Sequence, residues 1–255
     1  MNLRVLGCSG AEFPKHRSPG FLLDKEILFD AGSLTNVLDE REQLKIKNIF
    51  ITHAHLDHIR GIPFLADNII IGRWNHTVNI LSIPPVLKTV KWSLLNKSLW
   101  PDMTVIPSPQ NPVLNLVPLE LNQSIPVNGY AITPYKVKHS VPAVGYLVEG
   151  PRNRSFFYTG DTGPSDILWK KIGDKKVFCL IIESSFPNRM GELAIKTGHM
   201  TPRLLQEGLS KMKHIPKKIF ITHLKPQHLK SIKRELERLG MRNLTLLRDG
   251  ELIRI

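Results

Sequence analysis

The sequence predicts an α/β fold built as one domain, and three observations predict it. Short apolar runs of β character alternate with helical patterns along the chain. Its 255 residues, 42% of them hydrophobic, suffice for one sizeable core. No low-complexity segment or flexible linker divides them.

Taken in order, LRVLG (3–7), GFLL (20–23), EILFD (26–30) and KNIFIT (47–52) read as strands, rich in residues that suit a buried pleated surface. The stretch from Val86 to Trp100, VLKTVKWSLLNKSLW, has helical spacing and reads as an amphipathic helix. From Pro107 to Pro126 the density of proline argues for loops and short edge strands, because proline cannot donate to a ladder. YAITPYKV (130–137), GYLVE (145–149), SFFYTG (155–160), VFCLIIES (177–184), KKIFITH (217–223) and ELIRI (251–255) read as further strands. Among these, TPRLLQEGLSKMK opens with Thr201 as N-cap and Pro202 at the first helical position, with Leu205, Leu209 and Met212 on one face. PQHLKSIKRELERLG sets Leu229, Ile232, Leu236 and Leu239 on one stripe and stops at Gly240. KNIFITH (47–53) returns as KKIFITH (217–223), which suggests two similar halves, each strand delivering a histidine at its carboxyl end.

Composition removes several function classes. No run of eighteen apolar residues occurs, so no membrane-spanning helix is expected, and the amino terminus lacks the apolar core of a secretory leader. The expectation is a soluble, unprocessed, cytoplasmic protein with no membrane partner. Cys8 and Cys179, far apart and each in or beside a β-like run, form neither a disulfide framework nor a zinc ribbon and read as buried thiols. The formal charge is +13, and from Thr201 onward 13 Lys and Arg face 5 Asp and Glu. That excess suits a polyanion or phosphorylated substrate. It also suits the solvated face of a helix such as LKSIKRELERLG, which the lack of interleaved aromatics favours.

The chemistry concentrates in IFITHAHLDH (49–58), three histidines and an aspartate in the last six positions of an apolar strand. Two apart on a strand, His53 and His55 point the same way, and a sharp turn at LDH brings Asp57 and His58 to the other side of one cavity. Imidazole and carboxylate without thiolate suit zinc, manganese or iron in an open, hydrolytic site. Four such residues on one metal leave no place for water, whereas two metals do. His139, Asp161 and His223 each follow an apolar β-like run and complete a two-metal set.

With HAHLDH followed by a His, an Asp and a His in the same order, the chain resembles the metallo-β-lactamase superfamily and its HxHxDH motif. The resemblance implies a four-layer αββα sandwich and two divalent metal ions, zinc first, with manganese or iron as alternatives. It implies that His53, His55 and His139 hold one metal, that Asp57, His58 and His223 hold the other, and that Asp161 bridges. Asp30, in ILFDAG, resembles the family's early Asp that supports the site from behind.

Beyond that motif, HAHLDHIRG, the segment ending in Trp100-Pro101-Asp102, and SFPNRMGELAIKTGHMTP (185–202) are similar to class II cyclic nucleotide phosphodiesterases. Met200 stands where that family has Leu, and Leu94 and Leu95 replace His-Phe types before Asn96. The resemblance implies hydrolysis of a 3′,5′-cyclic nucleotide to the 5′-monophosphate, and a homodimer. Asp57 would take up the attacking water's proton. His199, just before a helix N-terminus and held by Glu183, would protonate the departing 3′ oxygen. A ribonuclease Z-like RNA endonuclease is the rival reading, suited by the basic charge, yet only about twenty residues separate His139 from Asp161, too few for the tRNA-gripping arm. His16, His76, His214 and His228 read as surface or loop residues.

Overall fold

The computed structural model describes residues 1–255. Its first half supplies β1 (Asn2–Gly7), β2 (Gly20–Leu23), β3 (Ile27–Phe29), β4 (Asn48–Phe50), β5 (Val78–Ser82), the small hairpin β6 (Pro107–Ser108) and β7 (Asn111–Pro112), and β8 (Leu114–Pro118). Its second half supplies β9 (Ile125–Val127), β10 (Tyr130–Lys136), β11 (Val144–Glu149), β12 (Ser155–Tyr158), β13 (Cys179–Glu183), β14 (Lys218–Thr222), β15 (Leu244–Leu246) and β16 (Leu252–Arg254). The helices are α1 (Glu40–Gln43), α2 (Leu56–Ile59), α3 (Gly61–Ile71), α4 (Pro84–Thr89), α5 (Asp166–Asp174), α6 (Gly191–Thr197), α7 (Pro202–Leu209) and α8 (Leu229–Glu237). No helix is long and apolar enough to cross a membrane.

Two seven-stranded sheets stack face to face, ordered β16-β1-β2-β3-β4-β5-β8 and β15-β14-β13-β12-β11-β10-β9. Side-chain alternation along one strand shows the layering. Phe156 and Tyr158 of β12 point into the core that spans both sheets, whereas Phe157 between them joins a second core under α5, α7 and α8. On the outer face of the first sheet, Ile62, Leu65 and Ile69 of α3 and Val86 of α4 close the fourth layer. Rings lock the central layer: Phe29 lies 5.4 Å from Phe50 and 5.6 Å from Phe156 on the facing sheet. The αββα sandwich expected from the resemblance is present.

The echo between KNIFITH and KKIFITH resolves differently. Each sheet has three antiparallel pairings followed by three parallel ones, so the halves do repeat in topology. In that repeat β4 corresponds to β13, yet KKIFITH lies on β14. The two stretches are alike because both are buried strands ending at the same place, not because they occupy equivalent positions.

Two local expectations are also corrected. LDH is not a sharp turn but the start of α2, with His55 as its extended N-cap residue. The stretch from Val86 to Trp100 is not one helix: α4 passes into a π-helical turn at Val90–Leu94, and the chain then doubles back. Lys91 fixes that reversal by donating to both oxygens of Asp102 at 2.5 and 2.6 Å. Strand β5 and helix α3 were not legible, since residues 61–71 (GIPFLADNIII) are apolar on nearly every side and lack helical periodicity. Thr201 does cap α7, accepting from the Leu204 amide, and residues 107–126 do form a hairpin and edge strands.

Candidate metal centre

The parallel strands of each sheet run the same way, so their carboxyl ends open on one common mouth, where α/β proteins place ligands. Asp30 follows β3, His53 follows β4, Asp161 follows β12, Glu183 ends β13 and His223 follows β14. His139 arrives from the end of β10 and His199 from the Gly198 turn between α6 and α7. All seven expected metal ligands converge there.

Hydrogen bonds behind the rings decide which nitrogen faces inward. His58 Nδ1 donates to Asp30 at 2.8 Å, and His139 Nδ1 donates to the Gly198 carbonyl at 2.9 Å. The Thr52 hydroxyl donates to Asp30 and so accepts from His53 Nδ1, 3.0 Å away. The Ser185 hydroxyl donates to Glu183 at 2.5 Å and accepts from His223 Nδ1 at 2.9 Å. Four imidazoles thereby aim Nε2 at the cavity, the arrangement in which an outer hydrogen bond orients a ligating ring. At His58 burial opposes the charge, but Asp30, Asp161 and Asp57 hold the ring well above the usual imidazole range, so a cation entering there displaces a proton. His55 differs, turning Nδ1 inward, 3.0 Å from His53 Nε2 and 3.3 Å from His139 Nε2.

Asp161 spans the cluster. One carboxylate oxygen is 3.6 Å from His53 Nε2, and the other is 3.5 and 3.4 Å from the Nε2 atoms of His58 and His223. Asp57 completes the second side, 3.3 Å from His223 Nε2 and 3.7 Å from His58 Nε2. His53, His55, His139 and Asp161 form one group, and Asp57, His58 and His223 another, with the donor atoms of each within 4.8 Å of one another.

The donors fit divalent cations. His58 Nε2 is fully buried and has no hydrogen-bond partner, a cost of about 1–3 kcal/mol that a bound cation would remove. Burial holds His53, His55 and His139 below the usual imidazole range, which keeps lone pairs available. Burial would raise Asp57 and Asp161, but the neighbouring imidazoles hold both well below the usual carboxylate range. Nitrogen and oxygen donors without thiolate are what zinc, manganese and iron accept.

Beside the cluster, His199 Nδ1 lies 2.8 Å from Glu183. Burial alone would push His199 down, yet the Glu183 carboxylate prevails and places it at about 9, so the ring is a cation near neutrality. Glu183 is itself fully buried and accepts from the Thr162 and Met200 amides at 2.8 and 3.1 Å. His199 stacks on the His223 ring at 5.5 Å and 15°.

Sequence reasoning missed the residues that hold these groups. Tyr158 donates to Asp30 at 2.7 Å from the facing sheet, Thr52 and Ser185 relay their hydroxyls, and Lys225 donates to the Gly10 carbonyl at 2.5 Å close to His199. Their only signal was position, one or two residues from a predicted ligand or on the same strand run. Of the unassigned histidines, His76 contacts the Ile46 carbonyl at 2.7 Å and His16 approaches Ser9 at 3.4 Å; neither belongs to the cluster.

Comparison with known proteins agrees with this architecture. Residues 25–224 match the family described as the beta-lactamase superfamily domain. A probable 3′,5′-cyclic-nucleotide phosphodiesterase of Yersinia pestis is 28% identical over 209 residues, 71% of this chain and 57% of that protein. A ribonuclease Z of Methanococcus maripaludis strain C5 is 33% identical over 162 residues, 60% of this chain and 50% of that one. The chain thus spans about half the length of the curated relatives it matches. Unliganded yeast PDE1 superimposes with a TM-score of 0.83 at 17% identity, covering 98% of each chain. With the family match spanning most of its length and its HxHxDH residues gathered at the sheet ends, the chain belongs to the metallo-β-lactamase superfamily.

Proposed function

We propose that this metallo-hydrolase is a binuclear phosphodiesterase that hydrolyses 3′,5′-cyclic nucleotides to 5′-monophosphates; its likeness to a Yersinia protein named a probable 3′,5′-cyclic-nucleotide phosphodiesterase supports the substrate class. The observation that carries the reading is the buried Glu183–His199 pair, a fixed proton donor set beside a seven-residue donor cluster. His53, His55, His139 and Asp161 would hold one ion, and Asp57, His58, His223 and Asp161 the other, with zinc, manganese or iron as candidates. When bound, the ions supply Lewis acidity toward the phosphodiester and the attacking water.

The chain's own residues do the rest. Asp57, a third exposed on its side chain, faces the mouth and accepts the proton that the water loses. His199 gives its Nε2 proton to the 3′ oxygen as the P–O3′ bond breaks, while Glu183 at Nδ1 holds the ring's charge and orientation. Water adds to phosphorus, the ring opens, and the 5′-monophosphate leaves. Lys225 places a cation near His199, suited to an anionic substrate.

The second reading, a ribonuclease Z-like endonuclease, is favoured by the Methanococcus similarity. Against it, the chain between His139 and Asp161 consists of β11, β12 and a tight connection, with no inserted arm. For assembly we propose a homodimer: exposed Phe64 meets the Trp100 ring edge-on at 5.3 Å, and Trp92 and Leu99 of the same region are 71% and 60% exposed.

The deciding experiment assays metal-loaded protein, with metal content measured on the same sample, on cyclic AMP, cyclic GMP, bis(p-nitrophenyl) phosphate and precursor tRNA. Turnover of a cyclic nucleotide to its 5′-monophosphate is expected. Cleavage of precursor tRNA alone, with binding that falls steeply in salt, would establish the second reading instead.

A further inference from the structure

On the far side of Leu224, the residue after His223, a groove of about 650 Å³ runs between α8 and β15. Its floor is apolar: Leu224, Leu236 and Leu247 are buried, and Leu244 and Leu246 pack partly buried against the outer core. Its rim is basic. Lys233 is paired with Glu237 at 4.0 Å, whereas Arg242 and Arg248 are exposed and engage no carboxylate through their side chains.

One wall of the groove is an unpaired sheet edge. β15 ends the second sheet and pairs only with β14, in parallel register. The Ile219 amide donates to the Asn243 carbonyl and the Leu247 amide to the Ile221 carbonyl, so the odd-numbered residues of this stretch serve the ladder. By the alternation of a parallel ladder, the main-chain groups of Leu244 and Leu246 point away from the sheet. The Leu244 amide is taken by the Met241 carbonyl at 3.3 Å; the Leu244 carbonyl and both groups of Leu246 are free.

We propose that this groove binds an extended segment of a partner protein, with alternating apolar and acidic residues, as an added strand on β15. The backbone edge supplies hydrogen bonds, the leucine floor takes every second side chain, and Arg242 and Arg248 select acidic residues. An apolar small molecule would use the floor alone and a polyanion the rim alone; only an extended peptide uses floor, rim and edge together.

The test uses the full chain and a fluorescein-labelled peptide of alternating valine and glutamate, read by fluorescence anisotropy. Two twins of the peptide are N-methylated at alternate amides, one in each phase, which removes hydrogen-bond donors from one edge and leaves the protein untouched. Saturable binding is expected, with one twin weakened at least about tenfold and the other retained, since a strand pairs through one edge only. The doubly substituted Arg242→Glu, Arg248→Glu protein, altered only at exposed positions, should also bind at least about tenfold more weakly. The proposal is overturned if the parent peptide does not bind, if both twins bind as well as the parent, or if the charge-reversed protein binds unchanged. Displacement by decanoate or an oligouridylate at lower concentration than by unlabelled peptide would assign the groove to a lipid-like anion or to RNA, and overturns it too.

Discussion

His199 and Asp30 are both buried polar residues beside the cluster, and the structure separates their work. His199 packs against the His139 and His223 rings, but its hydrogen bond goes to Glu183 and fixes no ligand ring, whereas Asp30 holds ligand rings directly, so replacing His199 should harm turnover and spare metal binding. For His199→Ala, kcat on the best phosphodiester is expected to fall about 10²- to 10⁴-fold, while metal content by elemental analysis stays unchanged. Retention of full rate would remove His199 as the acid. Asp30 accepts from His58, from Thr52 and from Tyr158 on the opposite sheet, and so orients two of the rings at once. Asp30→Asn should weaken metal affinity roughly 10- to 100-fold, measured by competition with a chromogenic chelator. Both residues were visible in the sequence, Asp30 as a strand-end aspartate and His199 before a helix. Glu183, 16 positions from His199, was visible as well, through the resemblance; the partners of Asp30, 22 to 128 positions away, were not.

At the scale of elements, the loop after β1 matters as much as the strands that carry ligands. The Cys8 carbonyl accepts the His223 amide at 2.7 Å, and Gly10 lies so close that a Cβ on it would stand 2.3 Å from the His223 carbonyl oxygen. Gly10→Ala must push His223 out of place and should reduce bound metal and activity together. A useful contrast is Thr201→Ala, which removes the α7 cap and should cost about 1 kcal/mol of stability by denaturant titration with metal content intact. If the two variants behaved alike, the contact between Gly10 and His223 would not be what limits that position. Sequence periodicity found α7 and α8 because each is amphipathic; it missed α3 because that helix is buried among apolar neighbours on most sides.

For the whole molecule, two consequences follow from where the cores lie. Metal binds the folded chain alone, since the ligands come from both sheets, so chelation should lower the Tm seen by scanning calorimetry. An unchanged Tm after verified metal loss would mean the donor cluster is stable unassisted. The thiols are the second case: burial pushes Cys179 up to about 12, and burial with the nearby Asp249 pushes Cys8 higher still. At pH 8 the folded protein should leave both unmodified by a thiol reagent, and denaturant should expose both. What the sequence determined by itself was the chemistry: residue types, their order, the α/β alternation and the strands that end in ligands are all local properties of the chain. What the tertiary structure alone decided was the geometry of use: which ring nitrogen faces inward, which hydroxyl bridges a ring to a carboxylate, and that β4 answers to β13 and not β14. Those depend on contacts between residues far apart in sequence, made only when two sheets close on each other.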